Sequence, residues 1–338
     1  MNPLDYTKIS FPALKLELNP PRDLALPGGI ALNLYGLIIA LGLILAVVYG
    51  LKRRKEFGIL ENDLLDGILC IVPFAIICAR LYYCAFEWDM YKADPIRLLY
   101  IWEGGLAIYG GVIGAAIGVI VLCLIKKIKL PALLDLVALG FLIGQAIGRW
   151  GNFFNREAVG VIAEGTKPFT RMGLWNEKLF FPTWEYFHPT FLYESVWNAV
   201  GFIGLHFLSK KRKYDGQIAL GYLAWYGLGR TFIEGLRADS LYLGPIRISQ
   251  LLAAVTCFVA VAILVWNLFR YHDPKKLYKF VNADAVAAEE EKKQASADKE
   301  NFLTKLFAKK TLAEELFLEE EEEDSEEETE EESEKNEE

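Results

Sequence analysis

The sequence predicts an all-α integral membrane protein of seven transmembrane helices, with a small extracytoplasmic cap and a disordered acidic C-terminal tail. Three observations lead there. Of 338 residues, 53% are hydrophobic and the mean hydropathy is +0.23, too apolar for an ordinary soluble domain. Seven stretches are long and apolar enough to cross about 30 Å of hydrocarbon, which takes roughly 20 helical residues. Short basic runs follow every second one.

The spans lie near 30–51, 63–86, 104–125, 131–150, 189–209, 216–237 and 247–269. The runs KRRK (52–55), KKIK (126–129), KKRK (210–213) and RYHDPKK (270–276) follow the first, third, fifth and seventh. With seven spans all four fall on one side. The positive-inside rule makes that side cytoplasmic, so the N-terminus is outside and the C-terminus inside. Residues 1–272 then form the membrane body, and residues 151–188, rich in Phe, Trp, Tyr and Pro, an outer head or cap. Residues 273–338 form the tail.

The formal net charge of −8 belongs to that tail, where residues 273–338 hold 24 acidic and 10 basic residues. The remaining residues carry 26 basic and 20 acidic ones, so the body is mildly basic. From about residue 282, and above all in EEEEEDSEEETEEESEKNEE, too few apolar groups remain to offset chain entropy, and disorder is expected. The stretch NFLTKLFAKKTLAEELFLEE is the one part that suggests a short amphipathic helix on the membrane.

Five cysteines lie in apolar runs without metal-ligand spacing and read as small hydrophobes. Three histidines are too few for a multi-histidine metal centre. Neither a metal, a cofactor nor a nucleic-acid partner is expected, and no phosphate loop indicates nucleotide chemistry. The N-terminal stretch MNPLDYTKISFPALKLELNPPRD lacks the apolar core of a cleavable signal peptide. In the third span Gly110, Gly114 and Gly118 recur every four residues, a small-residue face that lets helices approach closely. Gly104 and Gly105, at the outer end of this span, are placed to bring backbone N–H groups near a ligand.

Ionisable residues inside spans are functional candidates by default. Here they collect at one depth. Arg80 lies in the outer half of the second span, and Arg149 ends the fourth. Arg230 is about 21 Å up its helix at 1.5 Å per residue, with Glu234 and Arg237 beyond it. Tyr35 and Tyr109 open spans that begin outside, and His188, Tyr193 and Glu194 open the fifth. Tyr226, Arg230, Glu234 and Arg237 fall at i, i+4, i+8 and i+11, one helical face. Gln145, Arg149 and Asn152 form a second stripe if the fourth helix runs that far.

Several guanidinium groups, amides and a carboxylate in the outer leaflet suit an anionic lipid headgroup. Guanidinium matches phosphate oxygens and stays charged when desolvated. A transporter or flippase would need a charged path to the cytoplasm and inverted repeats. The inner halves are apolar, and no such repeat is visible. A scaffold gives no reason for arginines on separate spans at one depth.

The motifs resemble the prolipoprotein diacylglyceryl transferase family. GQAIGRWGNFFNREAVG (144–160) looks like its signature. LNLYGLIIALG, ARLYYCAF, WEGGLAIYGGVIG, HPTFLYES and YGLGRTFIEGLRADSLYLGPIRISQ continue the likeness over residues 10–270. The resemblance implies a seven-helix body with an extracytoplasmic head and arm, and a lipid-fed site in which phosphatidylglycerol enters from the bilayer. The lipobox cysteine of a prolipoprotein bearing a signal peptide attacks the glyceryl carbon, a thioether forms and glycerol phosphate leaves. It maps two important arginines onto Arg149 and Arg230, and carries Asn152, Glu157, Gly160, Tyr35, Tyr226 and Glu234 as further matches. Asn155, Arg80, Arg237, His188, Gly104 and Gly105 join them as expected substrate-binding positions. One departure stands out: many members have His where this chain has Tyr109. The proton acceptor is therefore open between Tyr109 and Glu157, with Glu234 behind them.

Overall fold

The computed structural model describes residues 6–25, 31–92, 94–101, 104–163, 165, 167–177, 182–238, 242–243, 246–270, 272–299 and 304. All seven segments expected to span are helical. The helices are α1 (Leu34–Arg53), α2 (Glu61–Phe86), a single turn α3 (Trp88–Tyr91), α4 (Ile108–Lys126) and α5 (Leu130–Asn155). They continue with α6 (Thr190–Lys210), α7 (Gln217–Glu234), α8 (Ile248–Leu268) and a second single turn α9 (Tyr278–Val281).

Five of them, α1, α2, α4, α5 and α8, are long and apolar enough to cross a membrane. The other two long helices fall outside this set. They carry Glu194, Asn198, Arg230 and Glu234, which lower their mean hydropathy. The central helix is α5, packed against α1, α6 and α7, while α2 pairs with α4 and α7 with α8. The glycine stripe is a packing seam. A Cβ on Gly110 would meet Tyr82 Cβ at 2.4 Å, and one on Gly114 would meet Cys78 Cβ at 2.5 Å. Between α6 and α7, Trp197 and Trp225 stack at 4.4 Å and each indole N–H donates to the other's carbonyl at 2.9 Å.

The purely helical expectation needs correcting in the head, where strands form. A four-stranded antiparallel sheet of order β2-β1-β5-β6 joins β1 (Tyr6–Phe11) and β2 (Leu16–Leu18) to β5 (Met172–Asn176) and β6 (Thr183–Phe187). The head thus draws on the N-terminus as well as on 151–188. Two small hairpins are β3 (Asp23–Ala25) with β4 (Ala31–Asn33), and β7 (Tyr242–Leu243) with β8 (Ile246–Arg247). The sheet is tied to the end of α5 by Arg156, itself buried. Its Nη2 donates to Thr7 O at 2.7 Å and Pro20 O at 2.6 Å.

The four basic runs gather at the opposite end of the bundle. There Arg212 Nη2 donates to Glu56 O at 2.5 Å, and Lys129 Nζ to Lys276 O at 3.2 Å. The body also runs past 272. Tyr278 N donates to Asp215 Oδ2 at 2.9 Å, Asn282 Nδ2 to Gly58 O at 2.8 Å, and Leu277 is buried. The first of two compact units is Met1–Ala283. Residues 283–299, expected to lack structure, are helical; their alanine, glutamate and lysine are strong helix formers. Apart from Thr304, the acidic stretch beyond lies outside the described residues, as does most of NFLTKLFAKKTLAEELFLEE. Cys84 and Cys123 are buried as small hydrophobes, whereas Cys70 faces outward; all five cysteines are free.

Asp135 caps a helix other than its own. Fully buried on α5, it accepts from the N–H groups of Gly216, Ile218 and Ala219 at 2.8–2.9 Å, the start of α7. These are N-terminal donors with no partner inside their own helix. Asp135→Ala is expected to cost on the order of 3 kcal/mol by leaving buried donors unpaired. Thermal unfolding in detergent checks this, with Asp135→Asn losing less because it keeps an acceptor.

Candidate active site

The site is built where α5 ends. Its apolar run continues through Gly148 and Gly151, so the helix extends to Asn155 before Arg156 turns left-handed at φ 56°. A Cβ on Gly151 would strike the Tyr35 ring at 2.5 Å, so glycine lets α1 and α5 close up at this level. Gln145, Arg149 and Asn152 therefore do share a helical stripe.

Arg149 Nη2 pairs with Glu194 Oε2 at 2.7 Å. Glu194, on α6, also takes Arg230 Nη1 at 2.8 Å and Arg237 Nη1 at 3.4 Å through Oε1. Arg230 Nη2 meets Glu234 Oε2 at 2.6 Å, and Arg237 Nε lies 3.9 Å from the same oxygen. Both carboxylates are almost wholly buried. Three arginines and two glutamates leave this linked set with a formal charge of +1. Isolated charges could not be held in such an apolar setting, which is why the groups interlock. Arg237 enters from a turn, since α7 stops at Glu234, rather than from the helical face that its i+11 spacing suggested.

A second chain of contacts runs along the rim. Arg149 Nη1 donates to Asn152 Oδ1 at 3.4 Å, and Asn152 Nδ2 to Glu157 Oε1 at 3.1 Å. Asn155 Nδ2 donates to the same Glu157 oxygen at 3.3 Å. Beyond it, Gly160 N donates to His188 O at 2.9 Å and Val161 N to Leu236 O at 2.6 Å. A Cβ on Gly160 would lie 2.6 Å from His188 Cβ and 2.8 Å from Leu236 O, so only glycine fits. Gly160 and Val161 thus tie the exit of α5 through backbone to the entry of α6 at His188 and the exit of α7 at Leu236, while the His188 ring lies 3.4 Å from Tyr193 Oη.

Below the rim a cavity of about 490 Å³ runs between α1 and α5, with Leu64 and Ile68 of α2 and Ile108 of α4 in its wall. Tyr35, Arg149 and Asn152 line its polar end, and Leu43, Val47 and Leu136 its apolar shaft. From Asn152 to Leu136 along α5 is about 24 Å. Tyr226 borders a tight space beside Arg230 and Glu194, and stacks on Tyr222 at 5.6 Å.

Other expected site residues are placed apart from this cluster. Arg80 is buried and donates to five backbone carbonyls, those of Arg97, Leu98, Tyr100, Gly104 and Gly105. Gly104 and Gly105 therefore serve through their carbonyls, folding the loop around Arg80. Tyr109 is 48% exposed and makes none of the hydrogen bonds or ion pairs of the cluster. Glu194, expected only to open the fifth span and not among the expected site residues, joins all three arginines. The signal was present: it is the one acidic residue in α6, and a charge within a span requires a partner.

The family model for prolipoprotein diacylglyceryl transferase matches residues 22–266. Relatives named phosphatidylglycerol–prolipoprotein diacylglyceryl transferase include that of Limosilactobacillus reuteri, 42% identical over 265 residues, covering 75% of this chain and 92% of the relative. The Clostridium novyi protein is 43% identical over 242 residues, covering 70% and 92%. The Listeria monocytogenes serotype 4b protein is 40% identical over 256 residues, covering 73% and 90%. With the match spanning the helices and the arginine cluster alike, this chain belongs to the prolipoprotein diacylglyceryl transferase family.

Proposed function

We propose that this chain transfers the diacylglyceryl group of phosphatidylglycerol to the lipobox cysteine of prolipoproteins, in a bacterial cytoplasmic membrane. The observation that carries the reading is the joining of two features. An arginine cluster sits at one end of a cavity whose shaft is apolar for most of the ~30 Å hydrocarbon thickness. That shape suits a phospholipid, with its phosphate among guanidinium groups and its chains below. In this reading α6 and α7 complete seven spans, the polar helices being shielded by the apolar ones. The end with the four basic runs is cytoplasmic, and the site faces outward.

The chemistry is displacement at carbon. The thiol, of pKa about 8.5, attacks as thiolate. A carbon–sulfur bond forms at the glyceryl carbon while the carbon–oxygen bond to phosphate breaks, its electron pair leaving on glycerol phosphate. The leaving group becomes a phosphate monoester, carrying about −1.5 to −2. Arg149 and Arg230 are set to stabilise that growing charge, while Glu194 and Glu234 keep them apart and aimed. Glu157, the rim carboxylate with no arginine ion pair among the described residues, takes the thiol proton. The half-exposed Tyr109 does not contact it.

The test uses purified protein in phosphatidylglycerol vesicles with a lipobox peptide. The expected result is a peptide heavier by one diacylglyceryl group, with stoichiometric glycerol phosphate. Absence of both products contradicts the reading.

A further inference from the structure

We propose that Arg156 and Thr190 are positioning residues, which together clamp the strained turn carrying Glu157 and so set where the proton acceptor lies. The inference rests on the transferase reading with Glu157 as acceptor, and goes beyond it to what fixes that carboxylate. The turn follows α5 directly. Arg156 N donates to Phe153 O at 3.1 Å and Glu157 N to Asn152 O at 3.0 Å, with Arg156 left-handed at φ 56°. This is the helix ending at which glycine is the usual residue, because a Cβ disfavours the left-handed conformation. Two residues on, Ala158 is left-handed as well, at φ 52°. Such conformations persist in residues other than glycine only where the surroundings over-determine them. Here they stand on either side of Glu157.

Each is held from a different element. The Arg156 guanidinium reaches the head, where Nη2 donates to Thr7 O at 2.7 Å, Pro20 O at 2.6 Å and Asn19 Oδ1 at 3.3 Å. Its side chain, and not its backbone, accounts for an arginine where glycine would sit without strain. On the other side Thr190, fully buried at the start of α6, donates its hydroxyl to Ala158 O at 2.6 Å. The backbone of Glu157 is thus fixed from the head and from α6. Its Oε1 takes Asn152 at 3.1 Å and Asn155 at 3.3 Å, and Asn152 lines the polar end of the cavity beside Arg149. A general base acts only within hydrogen-bond reach of the proton it removes. The two ties therefore bear on the reaction through Glu157, without touching lipid or thiol themselves.

The test is a double-mutant cycle between Arg156→Gly and Glu157→Gln, with full-length protein in phosphatidylglycerol vesicles and a lipobox peptide. Arg156→Gly keeps the left-handed turn, with less strain, and removes the tie to the head. It is expected to lower kcat about ten- to a hundredfold with little change in KM for the peptide, the scale of a small misplacement of a reacting group. Glu157→Gln alone is expected to lower kcat about a hundredfold. In that background Arg156→Gly should add little, because the group it positions no longer accepts a proton. Thr190→Val is expected to follow the same pattern, and Thr190→Ser, which keeps the hydroxyl, to restore most of the rate. Where Arg156→Gly folds poorly, the Thr190 variants run through the same cycle decide. Unchanged kcat in both Arg156→Gly and Thr190→Val overturns the inference alone. So does a loss of equal size with and without Glu157, which assigns both residues to the framework. Glu157→Gln at the wild-type rate removes Glu157 as acceptor and this inference with it, while transfer stands. No transfer by wild-type protein overturns the transferase reading itself.

Discussion

Arg149→Ala and Arg230→Ala are each expected to lower transfer about a hundred- to thousandfold, the scale of removing one preorganised donor from a developing anion. Each guanidinium is held by at least one carboxylate, so its direction is fixed before lipid arrives. The linked set carries +1, and the departing phosphate gains about one negative charge as the carbon–oxygen bond breaks. The attraction therefore grows along the reaction, which is the condition for lowering the barrier. The loss is expected mainly in kcat, with a smaller rise in KM, because phosphatidylglycerol is already anionic before reaction. Arginine to lysine recovers only part of it, since an ammonium cannot make the paired donations of a guanidinium. Initial rates in vesicles check this, with expression and thermal unfolding showing that each variant still folds.

Glu194→Ala carries the second large effect, on stability. Glu194 is 3% exposed and accepts from Arg149, Arg230 and Arg237. Without it, three guanidinium groups face one another with Glu234 as their remaining counter-ion in the set. Removing one member of a buried ion pair costs on the order of 3–5 kcal/mol. The variant is expected to unfold at markedly lower temperature in detergent and to lose transfer. Glu194→Gln, which keeps the shape and an acceptor oxygen, should recover part of the stability. A variant at wild-type stability with misfiring chemistry alone would assign Glu194 to the reaction and not to the framework.

Much of this site was legible in GQAIGRWGNFFNREAVG, because helical spacing places Gln145, Arg149 and Asn152 on one face whatever their neighbours do. The convergence of Arg149 with Arg230 could be read from depth alone, since topology fixes the level of each. Glu194 was harder. HPTFLYES reads as an ordinary helix start, and only the packing of α6 between α5 and α7 brings its carboxylate to both arginines. Arg80 could not be placed, because its partners are carbonyls, which every residue has. The head sheet was hidden for a different reason. Its strands are short, and Ile9 pairs with Leu174 across nearly half the chain. Tyr278 lay in a stretch that composition assigned to the tail, although two backbone groups and a buried Leu277 dock it to the body.

The most direct test of the central claim is a map of the protein solved in phosphatidylglycerol bilayers. The phosphate should lie within ion-pair distance of Arg149 or Arg230, with an acyl chain running down the cavity between α1 and α5 past Gln145. A lipid whose phosphate sits instead beside Arg80, or at the end bearing the four basic runs, with another lipid's tail absent from that cavity, would contradict it.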